Sequence, residues 1–382
     1  MKRLITSLVA LVLVVACVRP IAAATSSRAI ASASASPGPA AASIAPRHVT
    51  VEGYPTLAQM IGQKLVVRMD GTEPSADLLA RISRGEIGGV ILFGFNITTP
   101  TALEALTAKL RDAAAAGGQR PLLIAVDQEG GSIKRIPWAP PTLSPPAIGR
   151  TGSTAVALGQ GASTGSALHA LGVNVDLAPV ADVPVSSSSF MYQAGRTFSF
   201  DAATTASLAD AFASGLESKG VLPTMKHFPG IGFATKNTDA YVVTITASTA
   251  ALGPGLLPYR TAIGHEIPLI MLSNATYSAY DAANAAGWSR AIVVTLLRDD
   301  LGFKGVTITD SLDGTAHARG VSTRSLAILA AKAGTDMILL TGSEATTSSV
   351  YKTLLESAAK GTISKATLRA SYDRIVALKA SL

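Results

Sequence analysis

Leu122-Leu123-Ile124-Ala125-Val126-Asp127-Gln128-Glu129-Gly130-Gly131 passes from an unbroken apolar run directly into two carboxylates and a glycine pair. A short apolar run without alternation suits a strand buried on both faces, as in a parallel sheet covered by helices. The polar residues then fall at its carboxyl end. The pattern recurs: β-rich runs cover Lys64–Met69, Gly89–Phe93, Leu122–Val126, Val173–Leu177, Leu222–His227, Leu269–Ser273, Val306–Thr309 and Met337–Leu340. Helical patterns lie between them, including Ala76–Arg84, Thr101–Ala115, Ala202–Lys219, Ser289–Leu301 and Arg324–Ala333. Two more, Thr347–Ala359 and Lys365–Ser381, follow the last run.

Strands alternating with helices predict a parallel sheet with right-handed crossovers. Eight of them favour an α/β fold of the closed (β/α)8 type over an open doubly wound sheet. No glycine-rich dinucleotide fingerprint follows the first strand, which weakens the open alternative further. The carboxyl ends of the runs then collect Asp70, Asn96, Asp127, Asp176, Asp182, Lys226, His227, Ser273, Asn274 and Asp310. One polar residue at a strand end is ordinarily a cap or turn former. Many converging on the rim where barrels build their active sites predict a functional pocket.

The amino-terminal part reads differently. Met1-Lys2-Arg3 precedes an apolar stretch from Leu4 to Ala16, and Cys17 follows. A short basic start and a short apolar core predict a secretory signal over residues 1–16, too short for a stable membrane span. Val14-Val15-Ala16-Cys17 resembles a lipobox, which implies cleavage before Cys17 and its lipidation. Cys17 is the single cysteine, so neither an internal disulfide nor a cysteine metal cluster is available. Residues 17–48 are rich in Ala, Ser and Pro, a composition that buries no core and predicts a flexible tether. A single barrel domain is expected over residues 49–382, held at the outer face of a bacterial cell membrane. The formal charge is +7, or +5 once Lys2 and Arg3 are removed, a balance suited to an anionic wall or membrane surface. No basic run or basic-aromatic pattern suggests nucleic acid.

Five motifs follow one another along the barrel. They are Asp127-Gln128-Glu129-Gly130-Gly131, Asp176-Leu177-Ala178-Pro179-Val180-Ala181-Asp182-Val183, Gly195-Arg196-Thr197-Phe198, Lys226-His227-Phe228-Pro229-Gly230, and Leu301-Gly302-Phe303-Lys304-Gly305-Val306 leading into Thr309-Asp310-Ser311-Leu312. In this order, from about Leu57 to the carboxyl terminus, the chain resembles the single-domain β-N-acetylglucosaminidases of glycoside hydrolase family 3. The resemblance implies two-step retaining hydrolysis with Asp310 as nucleophile, a task that suits a carboxylate able to attack the anomeric carbon and leave again. It also implies that Asp127, Arg196, Lys226 and His227 hold the sugar, through acceptors and donors matched to hydroxyl and acetamido groups. Asp176 and Asp182 are read as support, holding Arg196 or Lys226 in place. Asp336 is read as structural.

The loop after the fifth strand departs from the family. Its members carry Lys-His-Phe-Pro-Gly-His-Gly and, further on, Asp-Ser-His, whose last histidine is the general acid/base. Here Ile231 replaces the first histidine, Asn237 stands at the tuning aspartate, and Asp239 stands at the catalytic histidine. Asn237 does not titrate, but a carboxylic acid at 239 is the proton donor most glycosidases use, provided burial or a neighbouring carboxylate raises its pKa. Asp239 is therefore the candidate acid/base, with Asn237 as support and His317 as a less favoured donor. Ser273 stands where the family often has histidine.

Three functions remain open at this point. The first is an exo-β-glycosidase, a β-N-acetylglucosaminidase acting on cell-wall, peptidoglycan-derived sugars outside the membrane. The second is a sugar- or peptidoglycan-binding lipoprotein that has lost its proton donor. The third is transfer to phosphate or to another sugar. A carbohydrate is the implied partner in each, with the membrane reached through Cys17. No metal or cofactor is implied, since the carboxylates lack a ligand-like spacing and hydrolysis needs only water.

Overall fold

The computed structural model describes residues 55–382. The expected signal peptide, Cys17, the tether and the first residues of the expected barrel domain lie outside the described residues. Eight parallel strands form one sheet: β1 (Leu65–Arg68), β2 (Gly89–Ile91), β3 (Leu123–Val126), β4 (Val175–Asp176), β5 (Leu222–Phe228), β6 (Leu269–Leu272), β7 (Val306–Thr309) and β8 (Ile338–Leu340). Each pairs with its sequence neighbours and β1 pairs with β8. A bridge from Ile308 to Met337 joins the remaining edges and closes the ring. Every predicted run meets its strand to within two residues at either end, and only the fifth strand extends beyond its run, by Phe228.

Alternation along each strand sorts side chains into two cores. Val66, Ile91, Leu123, Ala125, Val175, Leu222, Met271, Ile308 and Leu339 fill the barrel interior. Their alternates Leu65, Val67, Val90, Ile124, Val126, Ile270 and Ile338 pack outward against the helices. Both sets are buried, which is why the strands read as continuous apolar runs. Truncating a fully enclosed wall residue such as Ile124 to Ala removes about 2–5 kcal/mol of stability.

The same period sets what stands at the mouth. One further inward step from Val66 is Arg68, from Ile91 Phe93, from Ala125 Asp127, from Ile308 Asp310, and from Leu339 Thr341. Two inward steps from Leu222 lead to Lys226. All six line one cavity.

The helices begin where the sequence offers caps. Ser75, Thr99, Asp201, Ser322 and Ser343 each accept a backbone N–H of the first turn through their side chains. The expected Ser289–Leu301 helix is a π-helical segment over Ala291–Asp300, and the Ser289 hydroxyl accepts the Ile292 amide. The last helix, Lys365–Lys379, adds Ile375 and Leu378 to the interior core at the amino-terminal end of the barrel.

Candidate active site

The cavity at the carboxyl-terminal mouth has a volume of about 520 Å³, and Ile91, Met271 and Leu339 of the interior core form its floor. Above them one set of charges is locked together. Lys226 Nζ lies 2.8 Å from Asp127 Oδ1 and 2.7 Å from Glu129 Oε1. Arg196 grips Glu129 with two bonds, Nη2 to Oε1 at 2.7 Å and Nε to Oε2 at 2.8 Å. Arg135 Nη2 reaches Asp127 Oδ2 at 3.2 Å. Burial favours the neutral acid at Asp127, but Lys226 and Arg135 outweigh it and hold the carboxyl at about 2. Glu129 follows the same balance and is also held low, by Lys226 and Arg196. Burial favours loss of the Lys226 proton, and Asp127 and Glu129 more than reverse that. The cluster stays fully charged around neutrality.

This arrangement corrects the expected support. Neither Asp176 nor Asp182 holds Arg196 or Lys226; Glu129 does both. Asp182 instead serves the β5 turn. Its Oδ2 lies 2.7 Å from His227 Nδ1, and its Oδ1 accepts the amides of His227 and Ile231 at 3.3 and 2.8 Å. Asp176 accepts the Gln128 amide at 2.9 Å, while its other oxygen is buried without a partner. Burial pushes its carboxyl up to about 8, so it carries a proton at neutral pH. Glu129 belongs to the Asp127–Gly131 motif, two residues beyond Asp127, and that spacing was the available signal. Arg135 had none: a turn over Gly130 and Gly131, at φ +94° and +61°, returns the chain antiparallel and brings it back to Asp127.

The opposite side of the cavity holds the other carboxylates. Asp310, one step beyond β7, accepts the Ser311 amide at 2.7 Å and lies 3.9 Å from His227 Nε2. Asp239 reaches the same cavity from the loop after β5, with Asn237 beside it. Asn237 accepts the Asp239 amide at 3.0 Å through its side chain. Asn274 Nδ2 joins the two parts of the site, donating to Asp239 Oδ1 at 3.3 Å and to the Ser311 carbonyl at 2.8 Å. Gly314 makes this approach possible, because a Cβ there would meet the Asp239 carbonyl at 2.6 Å. Burial first, and then the charge of Asp310, pushes the Asp239 carboxyl up to about 7. Among the described residues, neither Asp239 nor Asp310 forms an ion pair with a lysine or arginine. His317 is exposed on the helix Leu312–Ala318 and does not line the cavity.

The arrangement can hold a polyhydroxylated ring on its charged side and present it to two carboxyl groups, one of them, Asp239, with a raised pKa. Closed barrels that do this form a class of carbohydrate-cleaving enzymes. The sequence matches the glycosyl hydrolase family 3 N terminal domain over residues 56–378. An uncharacterized secreted glycosyl hydrolase of Arthroderma benhamiae is 35% identical over 333 residues, covering 85% of this chain and 94% of that protein. Beta-hexosaminidase LpqI of Mycobacterium tuberculosis is 31% identical over 297 residues, covering 73% of this chain and 71% of that protein. A solved family 3 beta-N-acetylglucosaminidase from Paenibacillus superposes with a TM-score of 0.81 at 30% identity over 86% of this chain, which spans 63% of that one. Beta-N-acetylhexosaminidase from Beutenbergia cavernae gives 0.79 at 31% identity, covering 86% of this chain and 100% of its own. The chain belongs to glycosyl hydrolase family 3.

Proposed function

We propose that this protein is a retaining exo-β-N-acetylglucosaminidase in which a pair of aspartates does the chemistry. Asp310 attacks the anomeric carbon as the bond to the leaving oxygen breaks, and Asp239 gives its proton to that oxygen. The Asp239 carboxylate then takes a proton from water, the water attacks the anomeric carbon, and Asp310 is released. Lys226, Arg196, Asp127 and His227 hold the terminal sugar, with Glu129 keeping both cations in position.

The observation that carries this reading is a carboxyl group of raised pKa, Asp239, in the same cavity as Asp310. Asp239, at about 7, keeps its proton in about half of the molecules at pH 7 and in more below it, and it lies close enough to Asp310 for that carboxylate to raise it. A carboxyl group whose pKa is raised by burial and a neighbouring carboxylate is the usual general acid of a glycosidase. The names carried by the Mycobacterium, Paenibacillus and Beutenbergia relatives support the N-acetylhexosamine substrate.

Hydrolysis of 4-nitrophenyl β-N-acetylglucosaminide by the wild type, beside Asp310→Asn, tests the reading. Turnover that disappears in the variant supports it. No wild-type turnover, with saturable binding of N-acetylglucosamine, would favour a sugar-binding protein. The natural substrate proposed is a cell-wall fragment outside the membrane, reached by a barrel tethered through lipidated Cys17; the secreted Arthroderma relative is consistent with export. Labelling with radioactive palmitate that vanishes in Cys17→Ser is the expected result.

A further inference from the structure

Facing the Asp239 loop, the mouth carries a wall that the proposed chemistry does not use. Phe93 and Phe95, just beyond β2, hold their rings within 4° of parallel with centroids 5.8 Å apart. The Arg68 guanidinium lies 5.8 Å from the Phe95 centroid and that of Arg135 lies 5.3 Å from the Phe93 centroid. Arg68 is tied to Asp70 at 2.6 Å and Arg135 to Asp127 at 3.2 Å, so both cations are fixed before anything binds. Ring stacking and cation–π contact stiffen the pair. Phe95 is nonetheless 54% exposed, and it lines the same cavity as Asp239 and Asp310. A rigid apolar ring left open inside a polar pocket marks a contact surface.

Its place in the ring of strands indicates what it contacts. In the closed sheet β1 stands four strands from β5 in either direction, and β2 stands three. Arg68 and Phe95 therefore face the β5 loop, which carries Asp239, across the mouth. The polar groups suited to hydroxyls are deep: Lys226 and Glu129 are 2% and 3% exposed. A glycoside reacting between Asp239 and Asp310 sets its terminal ring on those groups and directs its leaving group to the rim. We propose that Phe95, backed by Phe93 and Arg68, is the leaving-group subsite, stacking on the flat face of the departing ring, whether a second pyranose or an aryl group. The inference rests on the glycosidase reading above.

The test compares two substrates on the full chain. N,N′-diacetylchitobiose has a ring as leaving group; N-acetyl-β-glucosaminyl azide has none. Phe95→Ala is expected to lower kcat/KM for chitobiose roughly five- to tenfold and to leave the azide within about twofold, with Phe95→Tyr restoring the chitobiose rate. Equal losses on both substrates, or no loss on chitobiose, overturns the subsite. A wild type that cleaves neither substrate overturns the glycosidase reading beneath it instead.

Discussion

The two ends of the barrel both bury charge, and they treat it in opposite ways. At the amino-terminal end Asp336 is fully enclosed and saturated. It accepts Arg298 at 2.6 Å, Arg374 at 2.7 Å and the Thr307 amide at 2.9 Å. Burial raises the proton affinity of Asp336, and the two arginines more than reverse it. Lys64, also buried there, donates to the Thr335 carbonyl at 2.7 Å. At the mouth only half of the site is treated this way. Asp127 and Glu129 are saturated by Lys226, Arg196 and Arg135, whereas Asp239 and Asp310 are left without a lysine or arginine partner among the described residues. Saturated carboxylates fix geometry and do not titrate near neutrality. A carboxyl group kept from cations and near another carboxylate retains a proton it can give away.

The difference can be broken most severely at Asp310. Asp310→Asn is expected to reduce turnover of 4-nitrophenyl β-N-acetylglucosaminide by ~10³-fold or more while leaving the thermal unfolding midpoint nearly unchanged. Next in size, Asp239→Asn should lower kcat/KM for chitobiose by ~10²–10⁴-fold, with a far smaller effect on kcat/KM for the azide, whose leaving group needs no proton in the first step. Glycosyl transfer needs Asp239 protonated, so wild-type kcat/KM falls as pH rises through about 7, and the variant loses that limb.

The saturated end should respond in stability alone. Asp336→Asn strands buried guanidinium groups and is expected to cost about 3–5 kcal/mol in urea unfolding, with kcat unchanged where the protein remains folded. Glu129→Gln should lose both stability and activity, because the same carboxylate positions the sugar-binding cations. The smallest effect is expected at Asp176. Its folded pKa, about 8, exceeds the unfolded value, so its contribution is complete at low pH and is lost as pH rises through about 8. Asp176→Asn should flatten that decline and stabilise the protein by about 1 kcal/mol at neutral pH, read from unfolding at several pH values.

The barrel was legible because its physics is local. Strands buried on both faces read as apolar runs such as Leu123–Val126 and Leu269–Leu272, and the inward alternation along Leu123–Val126 and Val306–Thr309 places Asp127 and Asp310 at the mouth. Pairing was less legible, because it depends on contacts between residues far apart in the chain. Lys226 and Asp127 are separated by 99 residues, and Arg196 and Glu129 by 67. Nothing in either segment names its partner, so Glu129 was passed over and Asp182 was given to the wrong neighbour. The small antiparallel pairs, Gln128–Gly130 with Ile133–Lys134 and Thr276–Tyr277 with Asp281–Ala285, are too short for periodicity to mark. Phe95 reads in sequence as one more apolar residue after β2; only the closed ring sets it across the mouth from the Asp239 loop.

The central claim is that Asp310 and Asp239 divide the two steps between them. Mixing Asp239→Asn with 4-nitrophenyl β-N-acetylglucosaminide tests it directly, because this leaving group departs without a proton while the second step still lacks its base. The account predicts a burst of 4-nitrophenol close to one equivalent, slow turnover afterwards, and an N-acetylglucosaminyl group on the peptide containing Asp310 by mass spectrometry. Steady turnover at the wild-type rate, with no burst and no adduct on Asp310, would contradict it.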